Sequence, residues 1–279
     1  MTKLGLIAGG GGLPLALADH CLEAGRPYFV IRLRGFADAD MEQHPGATAG
    51  IAEIGRIIKL ARDSGCEALC FAGLVRRPDF SALKPDMRGL AWLPGAMLAA
   101  RNGDEALLRF LMSEFEKEGF LIEGAHEVMG GLALPAGALG KIAPGAEHSI
   151  DIAKALTIAR AIGALDIGQA AVVCDGLVLA VEAQEGTDGL LRRVAELPTE
   201  LRGAPGRRKG VLAKVAKPIQ EERVDLPTIG VATIEGAARA GLAGVVGVSG
   251  KMLMVNRAAV VAAADAAGLF VAGVTDPAA

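Results

Sequence analysis

The sequence predicts an α/β protein of two domains, and three observations carry that reading. A short apolar strand, KLGLIA, runs into four consecutive glycines, Gly9 to Gly12, and then into an apolar helix-like run from Leu13. Strand-like and helix-like segments alternate through the first half of the chain. A stretch rich in Gly, Pro and Ala, GGLALPAGALGKIAPG over residues 130–145, then interrupts the alternation before it restarts.

In order along the chain, KLGLIA reads as a strand, LPLALADHCLEAG as a helix and PYFVIRL as a second strand. IAEIGRIIKLARDSG places Ile51, Ile54, Ile57, Ile58 and Ala61 at helical spacing on one face. EALCFAGLV reads as a third, buried strand. NGDEALLRFLMSEFEKEGF reads as an amphipathic helix with Asp104 and Glu105 in its first turn, where carboxylates suit the helix dipole. This βαβαβ order predicts a Rossmann-like domain over residues 1–132, with a parallel sheet and right-handed crossovers.

Residues 133–145 are expected as a linker and 146–279 as a second, mixed α/β domain. Its first helix spans residues 149–162. AAVVCDG and LVLAVEA then form a hairpin through Asp175-Gly176. GLLRRVAEL is a helix and VLAKVAK a strand. IGVATIEGAARAG is a helix, with or without a leading strand. GVVGVSGKMLMV reads as two strands turning at Ser249-Gly250. NRAAVVAAADAAG is a helix and LFVAGV the last strand.

With 279 residues, 52% hydrophobic and 22% charged, the chain can bury a large core. Net charge is −3 and the densest basic patch is Arg207-Arg208-Lys209, so there is no field for nucleic acid. Mean hydropathy is +0.39, yet no run approaches the ~20 apolar residues of a membrane span. The excess of Ala, Val and Leu suits buried elements, a dimer face or an oily ligand. The strand-like start has no basic region before a long apolar stretch, so no signal peptide is expected. Cys21, Cys66, Cys70 and Cys174 fit no zinc spacing and are expected as core thiols in a reducing, cytoplasmic setting. His20, His44, His126 and His148 show no metal-ligand spacing. Neither GxxxxGKS/T nor GxSxG occurs, which disfavours P-loop NTPases, kinases and α/β-hydrolases.

The glycine run departs from the dinucleotide fingerprint. Gly9-x-Gly11-x-x-Pro14 and Gly10-x-Gly12-x-x-Leu15 both lack the third glycine, and VIRLRG puts Arg32 and Arg34 where an acidic residue is expected. The backbone argument survives, because consecutive glycines bring N–H groups up to a ligand and the helix start favours an anion. The loop suits a phosphate or a sugar, or is a tight turn that binds nothing.

Three polar groupings stand out in the second half. VEAQEGTDG brings Glu182, Glu185 and Asp188 between a strand and a helix, with Thr187 as the expected N-cap. Carboxylates at a strand end suit a hard cation, and they also suit an ordinary acidic cap. Lys214 and Lys217 lie in an apolar strand and each needs an anion, from the protein or from a ligand phosphate. Both reach one place only if the strand bends or ends near Pro218. Asp225, before Leu226-Pro227, reads as a metal ligand, a base or an Asx turn. Gln169, in ALDIGQAAVV with Asp166 and Gly168, opens a buried strand and needs partners.

In combination, GLIAGGGGLP, GIAEIGRIIKLARDSG, FAGLVRRPDF, GDEALLRFLMSEFEKEGF, SIDIAKALTIARAIGALDIGQAAVV, AVEAQEGTD, LAKVAKPIQEERVDLPTIG and VVGVSGKMLMVNR resemble a known family. It is that of the UDP-2,3-diacylglucosamine pyrophosphatases of lipid A synthesis, the branch unrelated to calcineurin-like phosphoesterases. The resemblance runs over residues 4–274. It implies a Mg2+-dependent hydrolase that yields UMP and 2,3-diacylglucosamine 1-phosphate, with water attacking the β-phosphorus on the sugar side. It also implies a homodimer, with substrate between two domains and, at most, a peripheral, substrate-driven contact with the inner membrane. On this resemblance Asp225 and Asp188 hold metal or orient water, with Asp104 a third candidate. Lys214 and Lys217 hold phosphates, and Gln169, Glu185 and Thr187 complete a polar wall. Gly10, Gly11, Gly12 and Leu13, with Gly73, contact the uridine or phosphate side through backbone N–H groups. An NAD(P)-dependent oxidoreductase and a non-catalytic carrier of an acylated nucleotide sugar stand as the alternatives.

Overall fold

The computed structural model describes residues 1–76, 82–218 and 226–275. The chain divides into two compact units, Met1–Gly130 and Gly131–Ala279.

The first unit is built on β1 (Leu4–Ala8), α1 (Gly12–Glu23), β2 (Tyr28–Leu33), β3 (Gly46–Ala49), α2 (Ile54–Asp63) and β4 (Ala68–Ala72). It continues through α3 (Met87–Ala100), α4 (Asp104–Lys117), β5 (Leu121–Ile122) and α5 (Ala125–Val128). All its strands run parallel, in the order β3-β2-β1-β4-β5. Every residue of β1 is buried, as a central strand covered on both faces requires. The α2 periodicity holds for Ile54, Ile57, Ile58 and Ala61, which are buried, while Ile51 precedes the helix.

Four elements of this unit went unseen in the sequence, among them the short α5. The strands β3 and β5 are short, and α3 carries Gly89, Gly95 and an internal Pro94 that obscure a helical signal. The inner stripe of α3 is Gly89, Trp92, Ala96 and Ala100, with the Trp92 ring edge-on to Phe115 at 5.2 Å. Its other side exposes Met87, Leu90, Met97 and Leu98.

Asp86 secures two helices at once. Its Oδ1 accepts the Gly89 N–H of α3 at 2.8 Å, and its Oδ2 accepts the Arg56 N–H of α2 at 2.9 Å. Burial pushes this carboxyl up, but backbone N–H groups of Gly89, Arg56, Gly55 and Arg88 outweigh it and hold it below the usual aspartate range. A lowered folded value means that the stabilisation is complete above about pH 4, the unfolded value, and is lost as pH falls through the folded value. Asp86→Asn keeps one acceptor oxygen and is expected to cost about 1 kcal/mol near neutrality. Urea unfolding of both proteins should show that deficit shrinking as pH falls below the usual aspartate range. A deficit unchanged by pH would refute the charge-based capping.

The second unit adds β6 (Gly137–Leu139), α6 (Ser149–Ala164), β7 (Ala170–Cys174), β8 (Leu177–Val181), α7 (Gly186–Ala195) and β9 (Val211–Lys214). After these come β10 (Thr228–Ile229), α8 (Val231–Arg239), β11 (Gly244–Val248), β12 (Leu253–Met254), α9 (Arg257–Ala267) and β13 (Phe270–Val274). A mixed sheet runs β6-β13-β11-β9-β7-β8. Alternate residues feed its two cores. Ala170, Val172, Leu212, Val245 and Val271 pack with residues of α7, α8 and α9. Ala171, Val173, Val211, Ala213, Val246 and Phe270 pack with Leu156 and Ala159 of α6. All four cysteines are free and buried, as expected of core thiols.

The Asp175-Gly176 hairpin forms as read, with φ of 48° and 75° at its two central residues. The buried Asp151 of α6 accepts both turn amides, at 3.0 Å from Asp175 and 2.7 Å from Gly176. Two readings change. The strands either side of Ser249-Gly250 do not pair with each other: β11 lies in the large sheet, while β12 pairs in parallel with β10. The stretch 133–145, expected as a linker, supplies β6, which pairs antiparallel with β13. Leu134 is fully buried there and bonds to Met252 and Gly250 through its backbone.

Candidate functional site

In the first unit β1 ends at the glycine loop. The Gly10 N–H donates to the Leu74 carbonyl at 3.0 Å, and the Leu74 N–H returns a bond to the Gly10 carbonyl at 2.8 Å. Gly73 makes this approach feasible: its φ is 92°, and a Cβ there would lie 2.6 Å from the Gly10 oxygen. The Gly10 amide, expected to face ligand, is therefore committed to the protein. Gly11 (φ 87°) donates to Asp38 Oδ2 at 2.7 Å, so a carboxylate already sits where an anion was expected. Gly12 and Leu13 open α1, where first-turn amides have no intrahelical acceptor. Arg32 donates to the Met41 and His44 carbonyls, and Arg34 pairs with Glu53 at 2.8 Å. Both side chains thus have structural partners within the protein. Asp104 stands exposed in the first turn of α4, after Gly103.

In the second unit the candidates gather at one edge of the sheet. β9 is parallel to β11, and β7 is antiparallel to both β8 and β9. The carboxyl ends of β8, β9 and β11 and the start of β7 therefore share that edge, where ligands bind in open α/β sheets. Lys214 is the last residue of β9, 4% exposed, and its Nζ donates to the Thr228 carbonyl at 2.9 Å. By strand alternation it shares the Leu212 face, towards α7, α8 and α9. The strand ends before Lys217, whose Nζ pairs with Asp166 Oδ1 at 2.7 Å. Asp166 precedes Gln169 by three residues, and the Val215 N–H donates to the Gln169 carbonyl at 2.9 Å. Lys214, Lys217 and Gln169 thus come to the same edge.

Glu182 joins them and was not singled out as a site residue. It is 5% exposed and accepts from the Gln169 N–H at 3.0 Å and from the Thr187 hydroxyl at 2.7 Å. Thr187 is therefore not the N-cap of α7: that position belongs to Glu185, which makes no side-chain cap bond. The first-turn geometry places Thr187 inside the helix, within reach of the strand end. Glu185 instead pairs with Arg193, and its own backbone N–H, with that guanidinium, holds its carboxyl below the usual glutamate range. Asp188 is exposed in the first turn of α7, with no hydrogen bond or ion pair among the described residues. Asp225 lies outside the described residues.

No three His, Cys, Asp or Glu side chains converge as a metal cage among the described residues. Mg2+ is commonly held by one or two carboxylates, waters and substrate phosphates, so an exposed Asp188 fits that donor set.

Residues 3–132 match the LpxI N-terminal domain, and residues 135–272 match the LpxI C-terminal domain. UDP-2,3-diacylglucosamine pyrophosphatase LpxI of Caulobacter vibrioides is 66% identical over 277 residues, 99% of each chain. Among solved structures, the biotin carboxylase domain of a thermophilic 2-oxoglutarate carboxylase aligns at TM-score 0.25 and 16% identity. That alignment covers 76% of this chain and 44% of the other. The biotin carboxylase subunit of pyruvate carboxylase aligns at TM-score 0.24 and 15% identity, with the same coverage. Scores this low carry no argument about chemistry. Both domain matches, and identity along almost the entire length, establish that the chain belongs to the LpxI family.

Proposed function

We propose that this chain hydrolyses the pyrophosphate of UDP-2,3-diacylglucosamine to UMP and 2,3-diacylglucosamine 1-phosphate. The carrying observation is 66% identity over 99% of a relative named for that activity. The sheet edge supports it chemically. Phosphoanhydride cleavage needs cations on the phosphates and an oriented water. Lys214 and Lys217 supply the cations at one edge. Asp225 and Asp188 would hold Mg2+. When bound, the metal offsets phosphate charge and makes its water more acidic. Water is directed at the β-phosphorus on the sugar side. Gly12 and Leu13 offer amides to the nucleotide, while Gly11 with Asp38 suits a hydroxyl, which can donate to the carboxylate. We also propose a homodimer and a peripheral contact with lipid, for which the exposed apolar side of α3 is suited. No helix among the described residues is long and apolar enough to cross a membrane.

Purified protein mixed with the substrate should release UMP and the diacyl sugar phosphate with Mg2+, and nothing after chelation. In 18O-labelled water the label should appear in the sugar phosphate. Label in UMP would overturn attack at the β-phosphorus, and intact substrate in both conditions would overturn the hydrolase.

A further inference from the structure

The sheet of the first unit grows in two directions from β1. The chain moves from β1 to β2 and β3 on one side, and later to β4 and β5 on the other. The order therefore reverses between β1 and β4, and open parallel sheets bind ligands at the carboxyl ends of the strands at such a reversal. The Gly10–Leu74 pair ties together the loops that leave β1 and β4. From the other side the loop after β2 comes up to the glycines: a Cβ on Gly10 would lie 2.9 Å from the Phe36 carbonyl oxygen. That loop delivers Asp38, whose Oδ2 takes the Gly11 N–H at 2.7 Å. Asp38 is exposed, and its Oδ1 has no hydrogen-bond partner among the described residues.

An ionised carboxylate accepts hydrogen bonds and donates none, so the second oxygen calls for a donor and repels a phosphate. In dinucleotide-binding sheets an acidic group after the second strand accepts a ribose hydroxyl. The positions around the end of β2 carry Arg32 and Arg34 instead, and both are tied to other partners. Asp38, further along the same loop, is the carboxylate that reaches the glycines. We infer that Asp38 is a substrate-binding residue whose free oxygen accepts a ribose 2′- or 3′-hydroxyl. It thereby sets the preference for a ribonucleotide over a deoxyribonucleotide. The inference rests on the hydrolase reading for the nucleotide, while the Asp38–Gly11 bond stands without it.

The test is a ratio of rates. kcat/KM is measured for UDP-2,3-diacylglucosamine and for its 2′-deoxyribose and 3′-deoxyribose forms, with the unsubstituted protein and with Asp38→Ala. A hydrogen bond to a charged group is expected to contribute about tenfold. The unsubstituted protein should therefore turn over at least one deoxy form about tenfold less well, and that form names the hydroxyl. Asp38→Ala should treat all three substrates alike. Asp38→Asn keeps an oxygen for the Gly11 N–H and removes the charge, so it should shrink the same ratio, and it decides the matter if Asp38→Ala does not fold. If Asp38 only ties the loop, Asp38→Ala lowers all three rates by one factor and leaves the ratios unchanged, which overturns the inference. Equal rates on all three substrates in the unsubstituted protein overturn it too. So does a gain in kcat/KM for the ribonucleotide in Asp38→Ala, since Asp38 would then be an anion that a substrate phosphate must displace. If the unsubstituted protein turns over no substrate, the hydrolase reading falls. Calorimetry with UDP and its deoxy forms then reads the same ratios as Kd values, and UDP that does not bind overturns the ribose site as well.

Discussion

Replacing Asp225 with alanine is expected to lower kcat by about 10²–10⁴-fold while leaving the thermal midpoint unchanged. The residue sits in VDLP, one position before the buried Leu226 and three before Thr228, whose carbonyl receives Lys214. The family resemblance gives it the metal or the water. Asp225→Asn separates these roles. An amide still accepts a hydrogen bond from water but is a poor ligand for a hard cation. If Asp225 holds the metal, Asn should be nearly as inactive as Ala, and raised Mg2+ should recover part of the rate. If it orients water, Asn should retain more activity, and Mg2+ should not matter. Near-normal kcat in Asp225→Ala would remove the residue from the mechanism.

Lys214→Met is the second large effect, expected at about 10²–10³-fold in kcat. Methionine fills a similar volume without charge, so the test avoids the cavity that alanine would leave. Methionine leaves the Thr228 carbonyl without its donor, a cost of about 1–3 kcal/mol. The thermal midpoint should therefore fall by only a few degrees while turnover collapses. The converse result, a lower midpoint with turnover intact, would make Lys214 a structural tie to Thr228 and not a phosphate ligand. Arginine should not rescue, because its planar fork does not replace a compact ammonium 4% exposed at a strand end.

Much of the fold was legible because it is written locally. The strand, four glycines and helix of β1–α1 declare themselves in residues 4–23. Helical period marks α2, and Asp-Gly marks the β7–β8 turn, because those residue types suit that backbone. α3 was not legible. Its glycines and Pro94 weaken the propensity signal, and it is fixed by contacts elsewhere: Asp86 at its start and Phe115 against Trp92. The pairing of β12 with β10, and not with β11, was equally hidden, since adjacent strands joined by Ser-Gly read as a hairpin.

The site divides in the same way. The sequence by itself determined the family, the oily two-unit α/β architecture, and which polar residues stand in apolar surroundings: Lys214, Lys217, Gln169 and the Glu182–Asp188 cluster. Those are composition and spacing, and burial cost alone makes such residues conspicuous. Only the tertiary structure decided their partners. Lys217 meets Asp166 across 51 residues, Gly11 meets Asp38 across 27, and Thr187 turns its proton to Glu182. The first two pairings satisfy a donor or acceptor with a group distant in sequence, which no local period encodes, while the third is set by where β8 ends and α7 begins.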